Sequence, residues 1–151
     1  MNIKRLEHLR TIMLNLYEND LRAKNNDTII GFDLSGWIDE VPADVFGRVD
    51  VRHKDCGAVA CAMGHAALDP EFNKQGLTLS EEEDGEYGEP EYRLDADSWA
   101  YSGWEAATEF FDIKGSQSRW LFDNDNYPHT NVTPLDVAKR ITEMLKENDN
   151  D

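Results

Sequence analysis

The sequence predicts an α+β fold that is mainly α: one compact helical domain around a central helix of small residues, with little strand. Three observations lead there. Apolar residues recur at spacings of three and four in four separate segments. Only one short apolar run, Thr28 to Phe32, reads as strand or buried extended chain. The 151 residues, 40% hydrophobic and 10% aromatic, fit one domain with a real core and are too apolar for a disordered chain.

The first helix is expected over about residues 3–23, where Leu6, Leu9, Met13, Leu16 and Tyr17 form one face beside Ile12 and Leu21. Asn25, Asn26 and Asp27 end it. Residues 33–47 read as loop with Trp37 and Phe46 as anchors. The small-residue helix is expected to start near Cys56 and to run through Ala58, Ala60, Ala62, Ala66 and Ala67 until Pro70 stops it. Its few polar positions argue for a central place. Ser102 and Glu105 have the spacing of a capping box ahead of Ala106, Ala107, Phe110 and Phe111, which predicts a helix over roughly 103–112. Ser116 to Phe122 adds one helical turn. Thr133, Pro134 and Asp136 supply a cap, a proline at the first helical position and an acid in the first turn. Leu135, Ala138, Ile141 and Leu145 carry that last helix to about residue 147. The domain is therefore expected over 1–147, with an acidic loop insertion at 80–97 and a frayed acidic tail at 148–151.

The charge is unevenly spread. Fifteen Lys and Arg against 31 Asp and Glu give a net charge of −16. Residues 1–24 are mildly basic, net +2, whereas residues 80–97 hold nine acids against Arg93. Half the excess thus falls in 18 residues broken by Gly85, Gly88 and Pro90, which read as an exposed loop. Solubility alone accounts for such a loop; a surface for a basic partner or a cation is the sharper reading, with Glu81, Glu82, Glu83, Asp84, Glu86 and Glu89 as its residues. The acidity argues against direct nucleic-acid or anionic-membrane binding. No stretch approaches 18 apolar residues, and no apolar signal core follows the charged N-terminus, so a cytoplasmic protein is expected.

Chemistry-bearing residues concentrate in His53-Lys54-Asp55-Cys56 and the segment that follows, through Cys61 and His65. A cysteine at a helix N-terminus gains thiolate character from the dipole, so Cys56 with His53 or His65 is a candidate nucleophile and base. Asp55-Cys56-Gly57 resembles the nucleophile segment of SUMO-specific cysteine proteases. That family sets a His-aromatic pair, an Asp and a Gln before the cysteine; here His8 and His53 precede no aromatic, and no Gln occurs before Cys56. Cys56, Cys61 and His65 also offer two thiols and an imidazole for a metal, although the spacing of five between the cysteines is not that of a zinc knuckle. Core packing of the cysteines is the third reading, and no cofactor is expected. Asp123 to Asn126 has the alternating oxygens of a calcium loop, but Pro128 and Pro134 stand where an EF-hand needs Gly and Glu.

A wider likeness covers about residues 30–145. Cys56-Gly57-Ala58-Val59-Ala60-Cys61-Ala62-Met63-Gly64-His65-Ala66 follows a Cys-Gly-Thr-x-x-Cys-x-x-Gly-(His/Trp)-Ala core, with Ala58 for Thr. Phe32-Asp33-Leu34 with Trp37 precedes it; Ala107 to Phe111, Leu121-Phe122, Tyr127-Pro128 and Thr133-Pro134 follow in order. The chain resembles an uncharacterised family of small phage and bacterial proteins with these pieces. That resemblance implies a phage-type origin and no particular reaction. The expected function is non-enzymatic binding of a host or phage macromolecule, a protein partner above all. The alternatives are an acidic DNA mimic that inhibits a nucleic-acid-binding protein, and a small hydrolase using Cys56.

Overall fold

The computed structural model describes residues 1–23, 31–32, 38–39, 59–81, 87–129 and 132–149. These form six α-helices and two small sheets, and the fold is mainly α. None of the described helices is long and apolar enough to cross a membrane.

Helix α1 (Ile3–Ala23) buries Leu6, Leu9 and Met13 completely and lays Ile12 and Leu16 against the same core. Its first turn is capped by Asn2, whose side chain accepts from Arg5 N at 3.2 Å. Strands β1 (Gly31–Phe32), β2 (Ile38–Asp39) and β3 (Val59–Ala60) make a mixed sheet in the order β1-β3-β2. The remainder of 24–58, with Trp37 and Phe46, lies outside the described residues.

The small-residue helix is shorter than its composition predicts. Residues 59–60 pair as strand β3, and α2 runs only from Ala62 to Leu68. Cys61 is extended (φ −75°, ψ 177°) and acts as N-cap, its Sγ accepting from Gly64 N at 3.3 Å. Valine favours strand over helix, and pairing with both β1 and β2 decides for the strand. The central position is realised: Ala62 to Ala67 are all buried, and α2 touches α1, α3, β3, β4 and β5. Pro70 ends α2 and also opens α3 (Pro70–Lys74) at its first position. Asp69 serves both helices, its carboxylate accepting from Glu71 N and Phe72 N and facing His8 Nε2 at 2.9 Å.

The acidic insertion is not simply a loop. Strands β4 (Leu77–Glu81), β5 (Tyr87–Tyr92) and β6 (Tyr101–Ser102) form an antiparallel sheet with β5 in the middle. Along β5, Pro90 and Tyr92 are buried while Glu89 is exposed, so period-two alternation overrides the loop signals of Gly88 and Pro90. Strand β6 reaches only Glu91 and Tyr92, one residue short of Pro90, which has no N–H to offer a ladder.

Helix α4 (Gly103–Phe111) follows β6 directly. Ser102 holds the N-cap position but makes no side-chain cap bond, so the expected capping box is not formed. The helix closes on Asp112 in the left-handed region (φ 50°), with Ile113 N bonded back to Thr108 O. Helix α5 (Gly115–Phe122) is eight residues, two turns rather than one. A 3₁₀ turn at Asn124–Asn126 leads toward α6 (Pro134–Asp149), which packs on α1 and is helical through residues 148–149. Arg140 of α6 sits 3.5 Å from the Tyr127 ring centroid and 4.6 Å from that of Trp120, and donates to Trp120 O and Asn126 O. The Asp123 carboxylate accepts from Asp125 N, so this oxygen-rich stretch serves as a cap. The core centres on Phe72, Phe110, Phe111 and Phe122, packed mainly edge-on. Complete burial of each ring contributes about 1.5–3 kcal/mol.

Candidate functional site

His53 and Cys56 lie outside the described residues. Cys61 and His65 are 2% and 6% exposed, and His65 N bonds to Cys61 O within the first turn of α2. Both therefore belong to the packed interior around α2. Among the described residues, no three His, Cys, Asp or Glu side chains gather to hold a metal ion. Of the acidic candidates, Glu82, Glu83, Asp84, Glu86 and the Glu81 side chain also lie outside the described residues. Glu89 is exposed on β5, with its N–H donating to Ser80 Oγ at 3.1 Å.

The described part of the acidic segment has a feature that charge counting misses. Tyr92 and Tyr101 are cross-strand partners, so residues 93–100 are the hairpin loop between β5 and β6. That loop carries Leu94 at 74% exposure and Trp99 at 88%, and Tyr101 at its foot is 36% exposed. Asp95 and Asp97 stand between the two apolar side chains, both exposed.

The loop is ordered by its own hydrogen bonds. Asp95 Oδ1 accepts from Ser98 Oγ at 2.7 Å and from Asp97 N at 3.0 Å, and Ser98 N donates to Asp95 O. The Ser98 hydroxyl, with help from the backbone N–H groups of Asp97 and Ser98, holds the Asp95 carboxyl below its ordinary range.

The foot of the loop is fixed to the core. Tyr101 stacks on Tyr92 at 6.4 Å, and Tyr92 meets the Phe110 edge at 5.2 Å. Arg5 lies over the Phe110 ring at 4.1 Å and donates to Gln75 Oε1 and Phe110 O. Arg93 N donates to Gly76 O, and Gly76 holds φ +94° where a Cβ would meet Arg93 O at 2.0 Å. Beside this junction, between the α3–β4 turn and the loop, is a cavity of about 510 Å³ lined in part by Arg5, Lys74, Arg93 and Leu94.

Comparison with family models, curated proteins and solved structures gives no match.

The site is thus an ordered, acidic loop presenting two large apolar side chains to solvent. A tryptophan exposed in this way leaves a large apolar surface in contact with water. Nothing in its spacing marks Trp99 as outward-facing. The available signal is its position two residues past the acids of the hairpin, where no helical or strand periodicity assigns it to the core.

Proposed function

We propose that this chain works non-enzymatically, by binding a host or phage protein through its acidic side, with the 93–100 loop as the principal contact. The observation that carries the reading is the 88% exposure of Trp99 on a loop pinned by Asp95 and Ser98. Pre-ordering lowers the entropy cost of docking, and tryptophan is enriched among residues that dominate binding energy. The order of motifs shared with small phage and bacterial proteins supports the origin, and with it action in the host cytoplasm.

The same strand favours a protein partner over DNA mimicry. A mimic needs carboxylates in an unbroken row at phosphate-like intervals. The row is Glu89 and Glu91 on β5 and then Arg93 just beyond it, whose Nε lies 3.0 Å from Glu91 Oε1 and neutralises it.

The test is affinity capture from host extract with the wild type and with a Leu94→Ala, Trp99→Ala double variant. The expected result is a protein retained by the wild type and lost from the variant, at unchanged melting temperature. Identical captured sets from the two would overturn the reading. Cys56→Ala is expected to retain the partner; loss of capture at that variant would bring the cysteine segment back into consideration.

A further inference from the structure

We infer that the β5–β6 loop receives an arginine-bearing segment of a protein partner, the guanidinium stacking on Trp99 while Asp95 and Asp97 take its N–H groups. This rests on the protein-partner reading above and adds the chemistry of that partner. Three observations carry it. First, Trp99 has the most exposed large apolar side chain among the described residues, and its ring is the best available cation–π acceptor. Second, the carboxylates of the same loop are available. Both hydrogen bonds of the turn fall on Oδ1 of Asp95, which leaves Oδ2 for a partner, and Asp97 spends only its backbone N–H on the turn. Third, the charge is complementary: residues 80–97 hold nine acids against Arg93, so a basic segment is attracted to this part of the chain.

Arginine fits this arrangement better than lysine. Its planar fork matches a carboxylate bidentately and stacks flat on an indole, whereas an ammonium does neither and is more strongly hydrated. An anionic lipid surface, the other common destination of an exposed tryptophan, is opposed by Asp95 and Asp97.

The experiment uses the full chain labelled with 5-fluorotryptophan and followed by ¹⁹F NMR. The Trp99 resonance is assigned as the one missing from Trp99→Phe. The probe is a capped arginine-rich peptide, with lysine-for-arginine and glutamate-for-arginine counterparts and anionic vesicles as comparisons. The expected result is a saturable shift of the Trp99 resonance with the arginine peptide. The affinity should be several-fold weaker for the lysine peptide, several-fold weaker in Asp95→Asn with Asp97→Asn, and weaker by about tenfold or more in high salt. A Trp99 signal unmoved by the arginine peptide, moved equally by the glutamate peptide, or moved only by vesicles overturns the assignment. If the peptide fails while capture from extract still needs Trp99 and survives high salt, the arginine assignment falls and the protein-partner reading stands. If neither depends on Trp99, both fall.

Discussion

Trp99 and Gly76 lie close to the same hairpin loop, and their substitutions should separate binding from stability. Trp99 is 88% exposed and leaves the core untouched. Trp99→Ala is therefore expected to shift the unfolding free energy by no more than about 0.5 kcal/mol while abolishing capture. A large fall in urea midpoint would show that the ring is structural. Gly76 behaves in the opposite way. Its φ of +94° is strained for any L side chain, and a Cβ there would lie 2.0 Å from Arg93 O. The conformation alone costs about 1–3 kcal/mol for a non-glycine residue, and the backbone clash adds to it. Gly76→Ala should lower the urea midpoint clearly, and where the chain still folds it should misplace the loop and weaken binding as well. Equal stability to the wild type would mean that the α3–β4 turn and the loop are not clamped together. Neither residue announces itself in the sequence: the demand on Gly76 comes from a carbonyl 17 positions away.

At the scale of elements, the two helix starts expected from capping residues, the capping box at Ser102 and the Thr133 cap, diverge, and the contrast shows what local sequence can specify. At α6 the pattern is realised: Thr133 N and Oγ1 both donate to Asp136 Oδ2, at 2.9 and 2.8 Å, and Asp136 N donates back to Thr133 Oγ1. At α4 the chain enters straight from β6 through Gly103 at φ 54°, and Ser102 makes no side-chain cap bond. Sheet pairing set that geometry, and a four-residue motif carries no information about a strand partner. The same reason explains the displaced start of α2, where β3 claims residues 59–60, and the missed strand β5, whose alternation Gly88 and Pro90 obscure. The helical faces of α1, α4 and α6 were legible because burial repeats along a single element. Thr133→Ala should cost about 1 kcal/mol, as cap deletions do. Asp136 adds a pH signature. Burial is the largest single influence and raises its pKa, but the Thr133 hydrogen bonds together with His129 and Lys139 outweigh it, and the net shift is downward from 3.8. A depressed folded value means stabilisation that is present above about pH 4 and lost as pH falls through the folded pKa. Asp136→Asn should therefore be less stable than the wild type at neutral pH and converge with it in acid. A gap that does not close as the solution is acidified would assign the effect to packing instead of charge.

Across the whole molecule, charge is partitioned by architecture. The α1 and α6 helices that pack together mix both signs, whereas the hairpin segment from 80 to 97 holds half of a net −16. Salt should consequently act on stability and on binding in opposite directions. Going from about 0.01 M to about 1 M shortens the Debye length from about 30 Å to about 3 Å. Repulsion among the carboxylates of a chain with net charge −16 is then screened. The described ion pairs that salt also weakens are at least partly exposed and contribute little, for instance Lys74 with Glu71 and Arg93 with Glu91. The melting temperature should therefore rise with sodium chloride. Attraction between the acidic loop and a basic segment decays over the same range, so capture should weaken while the fold becomes more stable. Measuring both on one sample separates the causes. If melting temperature and binding fall together, salt is loosening the loop's support and the loss of binding says nothing about charge recognition. If the melting temperature rises and binding is unchanged, the contact is made by Leu94 and Trp99 alone, and the aspartates serve only to hold the turn.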